Sequence, residues 1–451
     1  LTVTTFLDTE LVDFASYSTL RAIGSLVDGQ KNASRKVIHT VQQKVKADTK
    51  VEILQGITAT TTEYLHGPTA LGGVIVNLAQ DFAGSNNLPL LIREGIFGTR
   101  FSHSASATRY IFTNKEPYLD KLFRIEDNPI LIPQIFEGSV IEPRFFVPTI
   151  PLLLVNGSEG IATGFAQKIL QRDPKNIIEY ITKYINGKKA GERIDPDSKL
   201  LLPSFVGYSG EVQSTDKLNQ WQIKGKFEKV SLTKIRITEI PVQYELNEYI
   251  QVLDELEDRR AIRSYKDLSV DDKFLFEVDI DSKTLKEVEY DTLLNTLGLV
   301  KTVTENFTCI NEKNRIEEYT SAIQIMHHFI TVKLEYTEKR REYIIMKLKE
   351  ELQVMKSKYF FIKGILDDTI IVKGKTKQEI SDQLDVTEHV IKVNDSYDYL
   401  TGMAIHSLSK DTFEKLASDI KKKKEFLDEY VKKTVYDIYL EDLEELNTAI
   451  N

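Results

Sequence analysis

The side chains best suited to covalent chemistry lie in residues 98–113, GTRFSHSASATRYIFT, where Arg109 stands directly before Tyr110. A tyrosine hydroxyl is a weak nucleophile at neutral pH because its pKa is about 10. An adjacent guanidinium favours the phenolate, and its planar fork can also grip a phosphate oxygen. The pair therefore suits attack on a phosphodiester, a reaction that needs in-line positioning and charge neutralisation more than elaborate covalent machinery. A turn at Gly98, Thr99 and Arg100 and a run of small Ser and Ala residues lead into it, as suits backbone close to a ligand. The chain holds 20 tyrosines, so an Arg-Tyr dipeptide alone decides nothing.

A second group of cations lies upstream. A helix is expected over about 31–46, with Val37, Ile38, Val41 and Val45 as its buried stripe. Lys31 and Arg35 are four apart on it, with Lys36 beside them, so by residue type they form a solvated basic face. Further on, PLLLV followed by Asn156 and Gly157 reads as a buried strand and a tight turn opening a β-hairpin. Gly157, Gly160 and Gly164 lack the spacing of a phosphate-binding fingerprint. Asp279 and Asp281 read as a strand edge, and His327 and His328 as packing or surface residues, in preference to metal ligands.

In order, YLHG, VNLAQDFAGSNN, EGIFGTR and ATRYIFT closely resemble the DNA-cleavage region of type IIA topoisomerases. The likeness is greatest to eukaryotic topoisomerase II and to the cleavage subunits of tailed phages. DGQKNASRKVI resembles the family's DGLKPxxRKVL, and NGSEGIATG its NGxEGIxTG element. The resemblance implies catalytic roles for Tyr110, Arg109, His66 and Arg21. It implies DNA contacts for Lys31, Arg35, Lys36 and Arg100, and makes Ile161 an apolar wedge between base pairs. Such wedges cost about a few kcal/mol of unstacking per step, repaid by contacts to the bent duplex. Tyr110 would form a transient 5′-phosphotyrosine link, a nearly isoenergetic exchange that reseals without ATP. Asn32, Leu65, Pro68 and Ile96 depart from the family's Pro, His, Glu and Gln.

The implied fold is α+β and multidomain. A winged-helix DNA-cleavage domain covers 1–150, a mixed α/β tower domain 151–318, and a coiled-coil helix 319–365. A dimerisation gate follows over 366–412, and a return coiled-coil helix with the C-terminal segment over 413–451. The last parts also follow from periodicity. Ile345, Leu348, Leu352, Met355, Tyr359 and Ile362 form a heptad seam, answered by Phe413, Leu416, Ile420 and Leu427. No convincing metal-binding acid set or ATP motif of the family is present. The resemblance therefore implies a separate ATPase/TOPRIM subunit that holds Mg²⁺ and ATP in a heterotetramer, with double-stranded DNA and a second copy of this chain as the other partners. Without a gyrase-type β-pinwheel after the coiled coil, relaxation and decatenation are expected over supercoiling. The organisation suggests a tailed-phage medium subunit, or else a piece of a fused enzyme.

At 451 residues the chain has room for about three domains. No run of about 18 apolar residues offers a membrane span, and the start lacks the pattern of a signal peptide. The single Cys309 excludes an internal disulfide and fits a reducing, cytoplasmic setting. A net charge of −9 argues against nucleic acid only if charge is spread evenly. Residues 1–125 carry 13 Lys and Arg against 11 Asp and Glu, so the acidity lies further on. A non-catalytic DNA clamp and a chromosome-organising coiled-coil protein are the alternatives. Neither needs an Arg-Tyr pair beside a histidine.

Overall fold

The structure is a computed structural model and describes residues 2–192, 194, 196–404 and 409–451. It contains two compact units, one of Leu1–Lys333 with Leu440–Asn451 and one of Leu334–Tyr439. The chain has the expected mixed α and β character.

The first unit opens with helices Glu10–Ala22, Asn32–Lys44, Val51–Thr61 and Pro68–Ala79. Beside them lies an antiparallel sheet in which Phe112–Lys115 is central, flanked by Thr49–Lys50 and Leu91–Glu94. The helix expected over 31–46 forms as Asn32–Lys44, and Val37, Ile38 and Val41 are fully buried, as its 3.6-residue stripe demands. At its entrance Asp28 is wholly buried. Its carboxylate accepts from Arg35 Nε at 2.7 Å and Nη2 at 3.0 Å, and from the amides of Gln30 and Phe146 at 3.0 Å each. Four donors on one buried carboxylate join the turn, the helix and a strand-like segment more than a hundred residues on.

The buried strand expected at PLLLV is a correction. Leu152–Val155 is a single helical turn, fully buried, with Pro151 at its N-cap. A short apolar run cannot distinguish a buried strand from a buried helical turn by periodicity. The β-hairpin comes just after it, from Ser158–Ile161 and Ala166–Ile169.

Beyond the helix Pro174–Ala190, a four-stranded antiparallel sheet has the order Lys226–Lys229, Lys234–Glu239, Phe276–Asp279, Ser264–Asp267. The helix Leu246–Asp258 shares a core with it through Tyr249, Leu253, Ile235, Ile237 and Phe276. Asp281 accepts from the amide of Lys283, capping a helix, and pairs with Arg263 at 2.7 Å. His327 stacks on Tyr184, and His328 sits between Tyr319 and Glu312. The histidines have the packing roles expected of them, whereas Asp279 ends an inner strand, paired with Lys234 on one side and Ser264 on the other, and is not at a sheet edge.

The second unit carries most of the helix Ala322–Leu366, the helix Lys410–Lys432 and a small core of Phe361, Ile370, Ile380, Leu384, Tyr397 and Leu400. Within the YLTGMAIHSLSKDTFEKL motif, residues 405–408 lie outside the described residues.

Breaking the Asp28 node is a severe change to the first unit. Arg35→Ala should leave a buried, uncompensated carboxylate and cost about 3–5 kcal/mol of stability. Lys46→Ala, on an exposed position, should move stability by less than about 0.5 kcal/mol. Denaturant midpoints of the two variants check the difference.

Candidate functional site

Tyr110 is held out of the protein by the residues on either side of it. The first amides of the helix Val51–Thr61 have no partners within their own helix. Val51 donates instead to the carbonyl of Ile111 at 3.0 Å, and Glu52 to that of Thr108 at 3.3 Å. Ile111 is buried, so the loop is pinned on both sides while Tyr110 is 66% exposed. The Arg109 guanidinium lies 4.7 Å from the centre of the Tyr110 ring. Further back, Gly98 has φ +94°, and a Cβ there would lie 2.5 Å from the His103 carbonyl oxygen. That glycine serves a close approach of the chain to itself.

His66 belongs to a different surface. With Tyr17, Arg21, Lys36, Phe136 and Ile141 it lines a shallow cavity of about 180 Å³. Its Nε2 shares a hydrogen bond of 2.6 Å with the Tyr17 hydroxyl, and Tyr64 meets the ring edge-on. Lys36 donates to the Thr62 carbonyl at 2.7 Å and pairs with Glu142 at 2.9 Å. Among the described residues no hydrogen bond or ring contact joins Tyr110 to this cavity.

Lys31 ties down the hairpin. Its ammonium donates to the carbonyl of Glu159 at 2.7 Å. Burial pulls its pKa down, and the charge of Glu159 opposes that. Gly160 allows the same strand to press against the end of the helix Glu10–Ala22, since a Cβ there would lie 2.0 Å from the Ala22 carbonyl oxygen. Ile161 follows and is 83% exposed, on a hairpin anchored at its base. A larger polar cavity of about 470 Å³ adjoins it, lined in part by Lys31, Ser34, Asn77, Asn86 and Ser158.

Two expected DNA contacts require correction. Arg35 is not on a solvated face: it is buried, and its donors go to Asp28, Gln30 and Asn32. Arg100 is likewise buried, donating to the carbonyls of Val242, Tyr244 and Ile240 and pairing with Glu239 at 3.5 Å. Both guanidiniums are engaged inside the protein, where they satisfy backbone carbonyls and carboxylates. Tyr17 was missed by residue type alone. Its only sequence signal is a place one helical turn before Arg21.

Among the described residues no group of three or more His, Cys, Asp or Glu side chains could hold a metal ion, so a resident metal has no fit here. No described helix is long and apolar enough to cross a membrane.

The family model for the A subunit of DNA gyrase and topoisomerase IV matches residues 21–444. DNA topoisomerase 2 of Penicillium chrysogenum is 30% identical over 99% of this chain and 30% of its own length. The mitochondrial DNA topoisomerase 2 of Dictyostelium discoideum is 32% identical over 94% of this chain and 33% of its own. The chain thus spans about a third of the length of the curated relatives it matches. A crystal structure of the Plasmodium falciparum topoisomerase II DNA-binding, cleavage and re-ligation domain superposes with a TM-score of 0.87 at 30% identity. That match covers 99% of this chain and 64% of the other.

The geometry sets two local expectations. Lys31→Met should loosen the hairpin, raising amide hydrogen exchange across 158–169 by about tenfold while leaving that of Val37 and Ile38 unchanged. His39, on the helix that Lys31 caps, has its pKa drawn from 6.5 to about 4 by burial, then by Lys36 and Lys44. The fold favours neutral His39, so its contribution to stability is complete above pH 6.5 and is lost as pH falls towards 4. A His39→Gln variant should show a flatter loss of stability across that window in acid titrations of the denaturant midpoint.

Proposed function

The chain belongs to the family of DNA gyrase and topoisomerase IV A subunits, and from that membership we propose that it is the DNA breakage-and-reunion part of a type IIA topoisomerase, working as a homodimer. The observation that carries this reading is the exposed Tyr110 beside Arg109, on a loop clamped by the helix Val51–Thr61. The Tyr110 oxygen attacks a phosphorus of duplex DNA in line. A P–O bond to tyrosine forms as the P–O3′ bond breaks, leaving a 5′-phosphotyrosine and a free 3′ hydroxyl. One phosphodiester replaces another, and the reverse attack reseals the strand. Arg109 neutralises a non-bridging oxygen. His66, oriented by Tyr17, and Arg21 bind the phosphate near the break, and His66 is placed to move a proton.

The dimer reading is supported by the lack, among the described residues, of any hydrogen bond or ring contact between Tyr110 and the His66 cavity. A phosphate held by both is then shared between the Tyr110 loop of one copy and the His66 cavity of another. Ile161 enters the base stack as a wedge, and Lys31 positions its hairpin through the Glu159 carbonyl in preference to a phosphate. The helices and small sheet around Tyr110 are read as the winged-helix domain, the sheets over 151–318 as the tower, and the paired long helices with their small core as coiled coil and gate. A separate ATPase/TOPRIM subunit would hold Mg²⁺ and ATP, the metal supplying Lewis acidity and the nucleotide the drive for the gates. The product is strand passage, seen as relaxation and decatenation.

Covalent trapping tests this. The chain is mixed with supercoiled DNA, Mg²⁺ and a candidate ATPase/TOPRIM subunit, denatured rapidly, digested and mapped. The expected label is on Tyr110 and is lost in Tyr110→Phe. Ile161→Ala should lower cleavage about tenfold while leaving Tyr110 as the labelled residue. Tight DNA binding and bending without any adduct would favour the clamp and overturn the breakage reading.

A further inference from the structure

The helices Ala322–Leu366 and Lys410–Lys432 run antiparallel. Arg341 donates to the carbonyls of Val431 and Lys433, Glu351 pairs with Lys423, and Tyr359 stacks on Phe413 at 4.5 Å. The seam repeats every seven residues, with Leu348, Met355 and Ile362 recurring along the first helix. The next residue after each is a lysine: Lys349, Lys356 and Lys363, all exposed and all on one flank of that helix. On the return helix Lys424 is also exposed, and the observed register sets it level with Lys349. Among the described residues none of the four has an ion-pair or hydrogen-bond partner.

Where Lys349 and Lys424 lie level, this is the wrong charge pattern for the helix pair alone, and Lys356 finds no acid across from it. Flank positions beside a coiled-coil seam ordinarily carry opposite charges, and like charges there oppose pairing. The other flank does use such a pair, Glu351 with Lys423. Nor does overall composition explain the stripe, because the chain is acidic, with a net charge of −9. A seven-residue step is about 10.5 Å along a helix, so three lysines span about 21 Å in a straight line. Duplex DNA carries roughly twelve phosphates over that length. A straight row of flexible ammonium groups, with no aromatic or amide side chain among the four, matches a phosphate backbone and reads no bases.

We propose that this lysine flank is a second docking surface for duplex DNA, held through its phosphates without regard to sequence. The proposal rests on the strand-passage reading to the extent that the duplex bound here is the transported one; the surface itself requires no cleavage.

The test places a photo-crosslinking residue at Gln353, which is exposed on the same side, in the full chain. A control carries it at Asp419, beside the opposite flank. Each is irradiated with a labelled duplex of about 30 base pairs and random sequence, at about 0.15 M salt. The expected result is a DNA adduct at position 353 and little at 419. It should fall about tenfold in the K349S/K356S/K363S/K424S variant and persist when the same four are changed to Arg. It should also persist in Tyr110→Phe. No adduct at 353, equal adducts at both positions, or no loss on removing the lysines overturns the proposal. A Tyr110 phosphotyrosine without an adduct at 353 rejects this flank and leaves the breakage reading standing. An adduct at 353 with no phosphotyrosine under any partner or metal does the reverse. Preferential capture of an acidic protein over duplex DNA would also overturn it.

Discussion

The buried carboxylate of Asp28 is the contact on which the N-terminal helices and the Ile161 hairpin depend. A charge withdrawn from water is tolerated only where donors surround it, and Asp28 has four, two from Arg35 and two from backbone amides. The ion pair fixes the start of the helix Asn32–Lys44 against the segment at Phe146. That same start carries Lys31, which ties the hairpin bearing Ile161, and Lys36, which lines the His66 cavity. A fault at Asp28 would therefore displace both the Ile161 hairpin and the His66 cavity. Two surface elements hang from one internal ion pair.

The two residues to which the proposal gives the chemistry and the wedge are exposed where energetics alone would bury them. Ile161 and Tyr110 stand largely in solvent, and burying an isoleucine side chain is ordinarily worth about 1.5–3 kcal/mol. Their exposure is not looseness. Ile161 sits on a hairpin held by Lys31 and by close approach to Ala22, and Tyr110 lies between two backbone contacts with the helix Val51–Thr61. Rigid presentation lowers the ordering cost that a mobile loop would meet on binding.

Much was legible in the sequence, and for local reasons. The stripe of the helix Asn32–Lys44 and the periodic seams of the two long helices are carried by residues near one another in the chain. The ordered motifs around Tyr110 were equally visible, as was the presence of Ile161 in a glycine-rich turn. Periodicity and turn chemistry act over a few residues, so they can be read before any tertiary contact is known. The run PLLLV failed for the same reason: four buried apolar residues leave no period to read, and Pro151 with the surrounding core made them a helical turn.

The sequence by itself determined which residues are cations, which stripes are apolar and where a phenol stands beside a guanidinium. Only the tertiary structure decided which cations remain available. Arg35, Lys36 and Arg100 look like Arg21 in one dimension, yet all three are consumed by internal acceptors, Lys36 by the Thr62 carbonyl and Glu142. Arg100 finds its acceptors about 140 residues away, and Tyr17 finds His66 after 49. Charge is a property of a side chain, whereas its availability depends on what the fold brings within about 3 Å of it.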